Sequence, residues 1–182
     1  MVFIKETEEV YRSQGSIAQI TAANIAFLKA RAKENERKRV RLCSHPDSEN
    51  LLHEMIIVHT QHAYVPPHRH LNKSESFHII EGKLSVFLFN DTGQIIDVIP
   101  MGNLESNRIF YYRLSSSLYH SVLPESEFVV FHEVTNGPFN RKDMVIAPWA
   151  ANEDDENAQM KFVKLLSNSI TKTQLAGLAN DS

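Results

Sequence analysis

The segment Pro67-His68-Arg69-His70-Leu71-Asn72-Lys73-Ser74-Glu75 carries the clearest chemical pattern in the chain. On an extended strand, side chains at i and i+2 point the same way, so His68 and His70 share a face. Glu75, after a short connection, enters the next strand beside them. A further imidazole from a distant strand closes such a site, and His120 in Ser117-Leu118-Tyr119-His120 is placed to supply it. Three imidazoles and one carboxylate with open positions suit iron, manganese, nickel, zinc or copper. They do not suit magnesium or calcium, which prefer shells of oxygen. The expectation is one divalent transition metal ion on His68, His70, Glu75 and His120.

The rest of the titratable inventory sorts around that site. Nine histidines stand against a single cysteine, Cys43, so neither a disulfide framework nor a thiolate zinc site is available. Arg41 and His45 are expected over the mouth as substrate-binding residues, with Arg41 offering a two-pronged contact to a carboxylate or phosphate. Arg69 lies between the two ligands on the strand, so parity turns it outward into a structural or interfacial role. His62 is expected at the rim, on the face of His68, and His78 on the face away from Glu75. His53, His59 and His132 have no motif around them. Alternation lets only some of Tyr111, Tyr112 and Tyr119 point inward. Cys43 has no activating base nearby in sequence. No nucleophile elbow, P-loop or dinucleotide fingerprint occurs, and no catalytic residue is assigned.

Composition narrows the function classes. Nineteen Lys and Arg against 22 Asp and Glu leave a net charge of −3, too balanced for a nucleic-acid binder. No apolar run approaches the ~20 residues of a membrane span. The N-terminal residues lack the basic and then apolar regions of a secretion signal, which with the lone cysteine leads to the expectation of a cytoplasmic protein. Lys29 to Arg41 holds seven basic residues and Glu153 to Glu156 is unbroken acid. Both read as solvated faces, with a contribution to a homodimer as the other use. The expected partner is a small-molecule ligand.

The elements that must position these residues fall into three zones. Residues 1–50 form a helical and extended segment packing on the core domain, with Thr21 as N-cap and Ile25, Leu28 and Ala32 at helical spacing. Arg39, Arg41, Cys43 and His45 then alternate, and share one face if that stretch is extended. Residues 51–150 hold the short apolar runs LLHEMIIVH, HAYV, SFHII, KLSVFLF, QIIDVI, RIFYYRL, LYHSVL and EFVVFHEV, separated by turn residues. So many strands without intervening helices predict a closed barrel or jelly roll. Residues 151–182 form an acidic linker and a helical extension, with Met160, Val163 and Leu166 lining one side. Trp149 is read as the anchor that packs this tail on the barrel.

From His62 through His68, His70 and Glu75 to Gly82, the spacing resembles the first motif of the cupin superfamily, G-x5-H-x-H-x3-4-E-x6-G. The second motif, G-x5-P-x-G-x2-H-x3-N, falls around His120. His62 replaces the first glycine, Ser115 and Ser117 replace the usual Pro and Gly, and Pro124 replaces the final Asn. Within the superfamily, the chain is similar to the WbuC-like cupin-fold metalloproteins over roughly residues 20 to 150. That likeness includes Arg39-Val40-Arg41-Leu42-Cys43-Ser44-His45-Pro46, Tyr64-Val65-Pro66-Pro67-His68-Arg69-His70, Gly137-Pro138-Phe139 and Ala147-Pro148-Trp149-Ala150. The resemblance implies a mainly β chain: a single cupin-type jelly-roll β-barrel with an N-terminal helix and a C-terminal helical extension. Members of that branch occur in bacterial polysaccharide (O-antigen) gene sets, and the branch is named for fold and metal rather than for a reaction. From the metal centre itself, the leading expectation is a metal-dependent enzyme of isomerase or oxygenase type acting on a small anionic metabolite or sugar derivative. Two other functions fit the same barrel: a non-catalytic metallo-cupin that binds or senses a ligand, and a metal-free sugar-nucleotide epimerase.

Overall fold

Twelve strands and two helices follow one another in the computed structural model, which describes residues 3–180, with side chains described through residue 170. In chain order they are β1 (Phe3–Lys5), β2 (Val10–Ser13), α1 (Ala22–Glu34), β3 (Arg39–Cys43), β4 (Leu52–Thr60), β5 (His68–His70) and β6 (Glu75–Glu81). Then come β7 (Lys83–Phe89), β8 (Ile95–Gly102), β9 (Tyr111–Leu114), β10 (Tyr119–Pro124), β11 (Phe128–Asn136), β12 (Met144–Ile146) and α2 (Glu156–Asn180).

The strands form a seven-stranded sheet, β1-β2-β3-β4-β11-β6-β9, and a five-stranded sheet, β12-β5-β10-β7-β8. Numbering the eight strands from β4 to β11 as one to eight, the sheets read 1-8-3-6 and 2-7-4-5. That order is two Greek keys wrapped into a jelly roll, the expected barrel. The first three strands extend one sheet and β12 the other.

Alternation places the core. Met55 and Ile57 of β4 meet Phe77, Ile79, Leu84, Val86, Leu88, Val129 and Phe131 inside the barrel. Ile56 and Val58, the opposite parity, pack under α1 with Val40, Leu42 and Leu28. β4 is therefore apolar on both faces because both are covered, which is why its sequence shows a continuous run. On β3 the same rule sends Val40 and Leu42 to the helix and Cys43 to the barrel. The helix starts at a capping box: the Thr21 backbone N–H donates to Asn24 Oδ1 at 2.8 Å, and the Asn24 N–H returns to Thr21 Oγ1 at 3.4 Å.

Three expectations change. HAYV is not a strand but part of an irregular crossing between the sheets, where Pro66 and Pro67 lack donors for a ladder. The second barrel strand is the short His68–His70 instead, held by β10 on one side and β12 on the other. His62 accordingly lies in an exposed turn after β4 and does not share a strand face with His68. Met160 is 61% exposed, and the buried side of α2 is Phe162, Val163, Leu166 and Ile170, packed on Phe87, Phe89, Tyr119 and Leu123.

Trp149 packs tilted against Phe89 and edge-to-face against Tyr119, at 5.0 and 5.8 Å, and donates to the carbonyl of Asp91. The basic and acidic runs meet within the chain: Glu153 pairs with Arg37 and lies 3.9 Å from Arg39. No described helix is long and apolar enough to cross a membrane.

Candidate metal centre

His68 and His120 face each other across the β5–β10 ladder, as directly paired positions. His70, two residues along β5, falls on the same side by strand parity. The ligating nitrogens of all three lie within 4.8 Å of one another, the one such cluster of possible ligands among the described residues. Glu75 reaches them from the other sheet, at the start of β6. Its Oε1 is 2.9 Å from Nε2 of His120, and its Oε2 is 3.4 Å from Nε2 of His70. The four groups thus bridge the seam between the two sheets, at one end of the core.

Hydrogen bonds to the backbone set the tautomers. His68 Nδ1 lies 2.9 Å from the carbonyl of Pro66, and His120 Nδ1 lies 3.1 Å from the carbonyl of Leu118. A carbonyl only accepts, so each Nδ1 carries the proton and each Nε2 presents a lone pair to the centre. This is the arrangement in which an outer hydrogen bond orients a ligating imidazole. Nε2 of His120 and Oε1 of Glu75 are both buried and neither makes a hydrogen bond, despite their short separation.

The electrostatics follow from burial. Burial pushes His68 down to about 3, with His120 adding to the effect, so its ring stays neutral. Burial alone would raise Glu75, but the neighbouring imidazoles outweigh it and hold the carboxyl well below its usual range. For His120 burial opposes the charged form, yet the Glu75 carboxylate prevails and raises it. The arrangement is a buried carboxylate with converging nitrogens and a deficit of positive charge. It can hold a divalent transition ion with open positions.

The other predicted residues are placed as follows. Arg41 sits on the barrel-facing parity of β3, exposed, with no side-chain hydrogen bond or ion pair among the described residues. His45 is buried; its ring stacks on that of His53 at 4.0 Å and 4°, and its Nδ1 lies 3.2 Å from both the N–H and the carbonyl of Glu54. Arg69 points outward, with its guanidinium 4.5 Å from the Tyr119 ring and 3.1 Å from Asp91. His78 is exposed on the far face of β6. The tyrosine register is now defined: Tyr112 is inward and 7% exposed, Tyr111 is outward and 51% exposed, and Tyr119 belongs to the outer cluster under α2. Cys43 is a buried free thiol, raised chiefly by burial.

One residue was missed. Glu133 of β11 follows Val129 and Phe131 in the inward alternation, and burial together with the charge of Glu75 raises its carboxyl to about 8. The signal lay in EFVVFHEV: fixing the phase of that strand on Val129 and Phe131 turns Glu133 into the barrel.

A family model described as a domain of unknown function, DUF6016, matches residues 20–101. No curated protein matches the chain. Similar solved structures include a structural-genomics protein from Shewanella oneidensis, at 11% identity and TM-score 0.49, covering 58% of this chain and 72% of that one. A variant of Bacillus subtilis oxalate decarboxylase is 20% identical with TM-score 0.43, covering 53% of this chain and 24% of that one. The cupin domain of Schizosaccharomyces pombe Cnp3 is 13% identical with TM-score 0.43, covering 56% and 66%. The chain spans about a quarter of the oxalate decarboxylase it matches. These likenesses are distant; the strand order of the two sheets is what identifies the fold as a cupin-type jelly roll.

Proposed function

We propose that the chain is a metal-dependent cupin enzyme of isomerase or oxygenase type, acting on a small anionic metabolite or sugar derivative. The observation that carries this reading is the unpartnered pair of His120 Nε2 and Glu75 Oε1, buried beside the bare Nε2 of His68. Leaving such atoms unmet costs about 1–3 kcal/mol each, so a fold that converges them is organised around something that meets them. A bound divalent ion would polarise a carbonyl or carboxylate oxygen as a Lewis acid, or support oxygen chemistry if it is iron.

His68, His70, His120 and Glu75 would hold that ion, and the protein's remaining groups handle the ligand. Arg41 offers an unpaired guanidinium on the side of β3 that faces the barrel, suited to draw in and orient an anionic group. His45 stiffens the neighbouring wall through its stack on His53. The resemblance to WbuC-like proteins, which occur in bacterial polysaccharide gene sets, bears on the setting and not on the substrate.

The test is elemental analysis of freshly purified protein, followed by a turnover screen over anionic metabolites. We expect about one transition-metal ion per chain, lost in Glu75→Ala and His120→Ala. Turnover should disappear on metal removal and return on replacement. Protein that neither contains nor takes up stoichiometric metal overturns the reading. Metal-dependent binding across the screen without turnover would make the site a sensor.

A further inference from the structure

The inner wall of the seven-stranded sheet carries more polar chemistry than holding an ion requires. Glu133 pairs directly with Met55 of β4 and Phe77 of β6, both residues of the barrel core. Its carboxyl makes no hydrogen bond or ion pair among the described residues. On the other side of Phe77, Tyr112 occupies the same row, with the two rings tilted together at 5.7 Å. Tyr112 is 7% exposed, and its hydroxyl is buried without a hydrogen-bond partner.

Glu75 lies two residues before Phe77 on β6, so Glu133 and Tyr112 are its diagonal neighbours on the same face, with backbones about 7–8 Å away. Glu133 and Tyr112 thus flank the centre along one wall. The charge of Glu75 acts on both. Arg41, on β3, also faces Glu133 electrostatically, and Asp97 of β8 acts on Tyr112.

We propose that Glu133 and Tyr112 are the ligand-recognition wall of the site, and that the ligand is a small hydroxylated monoanion, a polyhydroxy acid, rather than a dicarboxylate. The assignment rests on the metal centre proposed above. A carboxylate accepts a hydrogen bond from a ligand hydroxyl, and the tyrosine O–H donates one to a ligand oxygen. Each satisfies a group that is otherwise stranded in the barrel. A second carboxylate on the ligand would be turned against Glu133 and Glu75, two like charges in a poorly solvated space. With Glu75 and Glu133 both ionised, a divalent ion and Arg41 leave a net charge of about +1, which a single anionic group matches.

A matched pair of probes tests this. Glycerate and tartronate share a 2-hydroxy acid and differ in that one ends in a hydroxymethyl group and the other in a carboxylate. Binding to zinc-loaded protein is measured by calorimetry at about pH 9, several units above the ordinary glutamate value. We expect glycerate to bind at least about tenfold more tightly than tartronate. Glu133→Gln should close that gap, and Tyr112→Phe should weaken glycerate about fivefold or more, with the zinc content of both variants unchanged. Tighter binding of tartronate, no binding of either acid, or a preference that survives Glu133→Gln overturns the assignment. The preference of the unsubstituted protein decides the ligand class even where a variant fails to fold. Failure to load zinc overturns the metal centre separately, and the same comparison in metal-free protein still decides the role of Glu133.

Discussion

Nε2 of His120 and Oε1 of Glu75 lie 2.9 Å apart across the seam of the barrel, both buried and neither hydrogen-bonded. Burial disfavours charge on each, yet the carboxylate raises the imidazole and the imidazoles lower the carboxyl. The pair is short of one positive charge, which a proton or a metal ion can provide. The two therefore compete. Metal affinity should fall with acidification by about tenfold per pH unit for each proton displaced, in the range where His120 is protonated. Competition titrations with a chromophoric chelator at several pH values measure that slope; an affinity independent of pH between about 5 and 7 would contradict the coupling.

Gly82, the last position of the first motif, links β6 to β7 with φ +82°, in the left-handed region. A Cβ there would come within 2.1 Å of the carbonyl oxygen of Phe128, and that oxygen is backbone and cannot swing away. Gly82→Ala should cost about 2 kcal/mol or more, read as a lower urea midpoint. A change of less than about 0.5 kcal/mol would show that the turn can relax.

The parts of the site legible in the sequence are those encoded locally. Parity puts His68 and His70 together on any extended stretch, and the spacing to Glu75 and Gly82 spans one turn and one strand. Seven of the eight barrel strands were also readable, from apolar runs broken by turn residues. Contacts made across ladders were not. His53 has no distinguishing neighbours along the chain, and only the β3–β4 register brings it under His45. The register of Tyr112 depended on which residue of β6 it would face. The strand β5 was legible only through the parity of His68 and His70 and not as an apolar run, because three residues flanked by Pro67 and a turn show no periodicity; its pairing comes from β10 and β12, distant in sequence. Met160 and Leu166 lie six positions apart, too far round a helix for both to face the barrel, and the side taken was set by Phe87 and Phe89.

The tail helix gives a stability prediction. Leu166 is 1% exposed and fills a space between Phe87, Phe89 and Leu123, whereas Met160 is 61% exposed. Leu166→Ala should cost about 2–4 kcal/mol through lost burial and a cavity. Met160→Ala should stay within about 0.5 kcal/mol. Chemical denaturation of the two variants distinguishes this docking from a helix that rests loosely on the barrel, for which both would be near neutral.

His59 gives the protein a specific sensitivity to acid. It is buried against the edge of Phe131 at 5.4 Å, its Nδ1 has no partner, and burial, helped by Arg39 and Arg41, pushes its pKa down to about 3. The folded value lies below the unfolded value of about 6.5, so the unfolded chain takes up the proton first. The stability linked to a neutral His59 is complete above about pH 6.5 and is lost as pH falls toward the folded value. Between about pH 7 and pH 4.5, this one group removes about 2–3 kcal/mol. His59→Leu should lose correspondingly less over the same interval, while His45, His53 and His132, also lowered by burial, contribute equally to both proteins. Parallel urea curves for the two proteins at those pH values give the difference directly. Equal acid losses would mean that the His59 ring gains access to water before it is protonated.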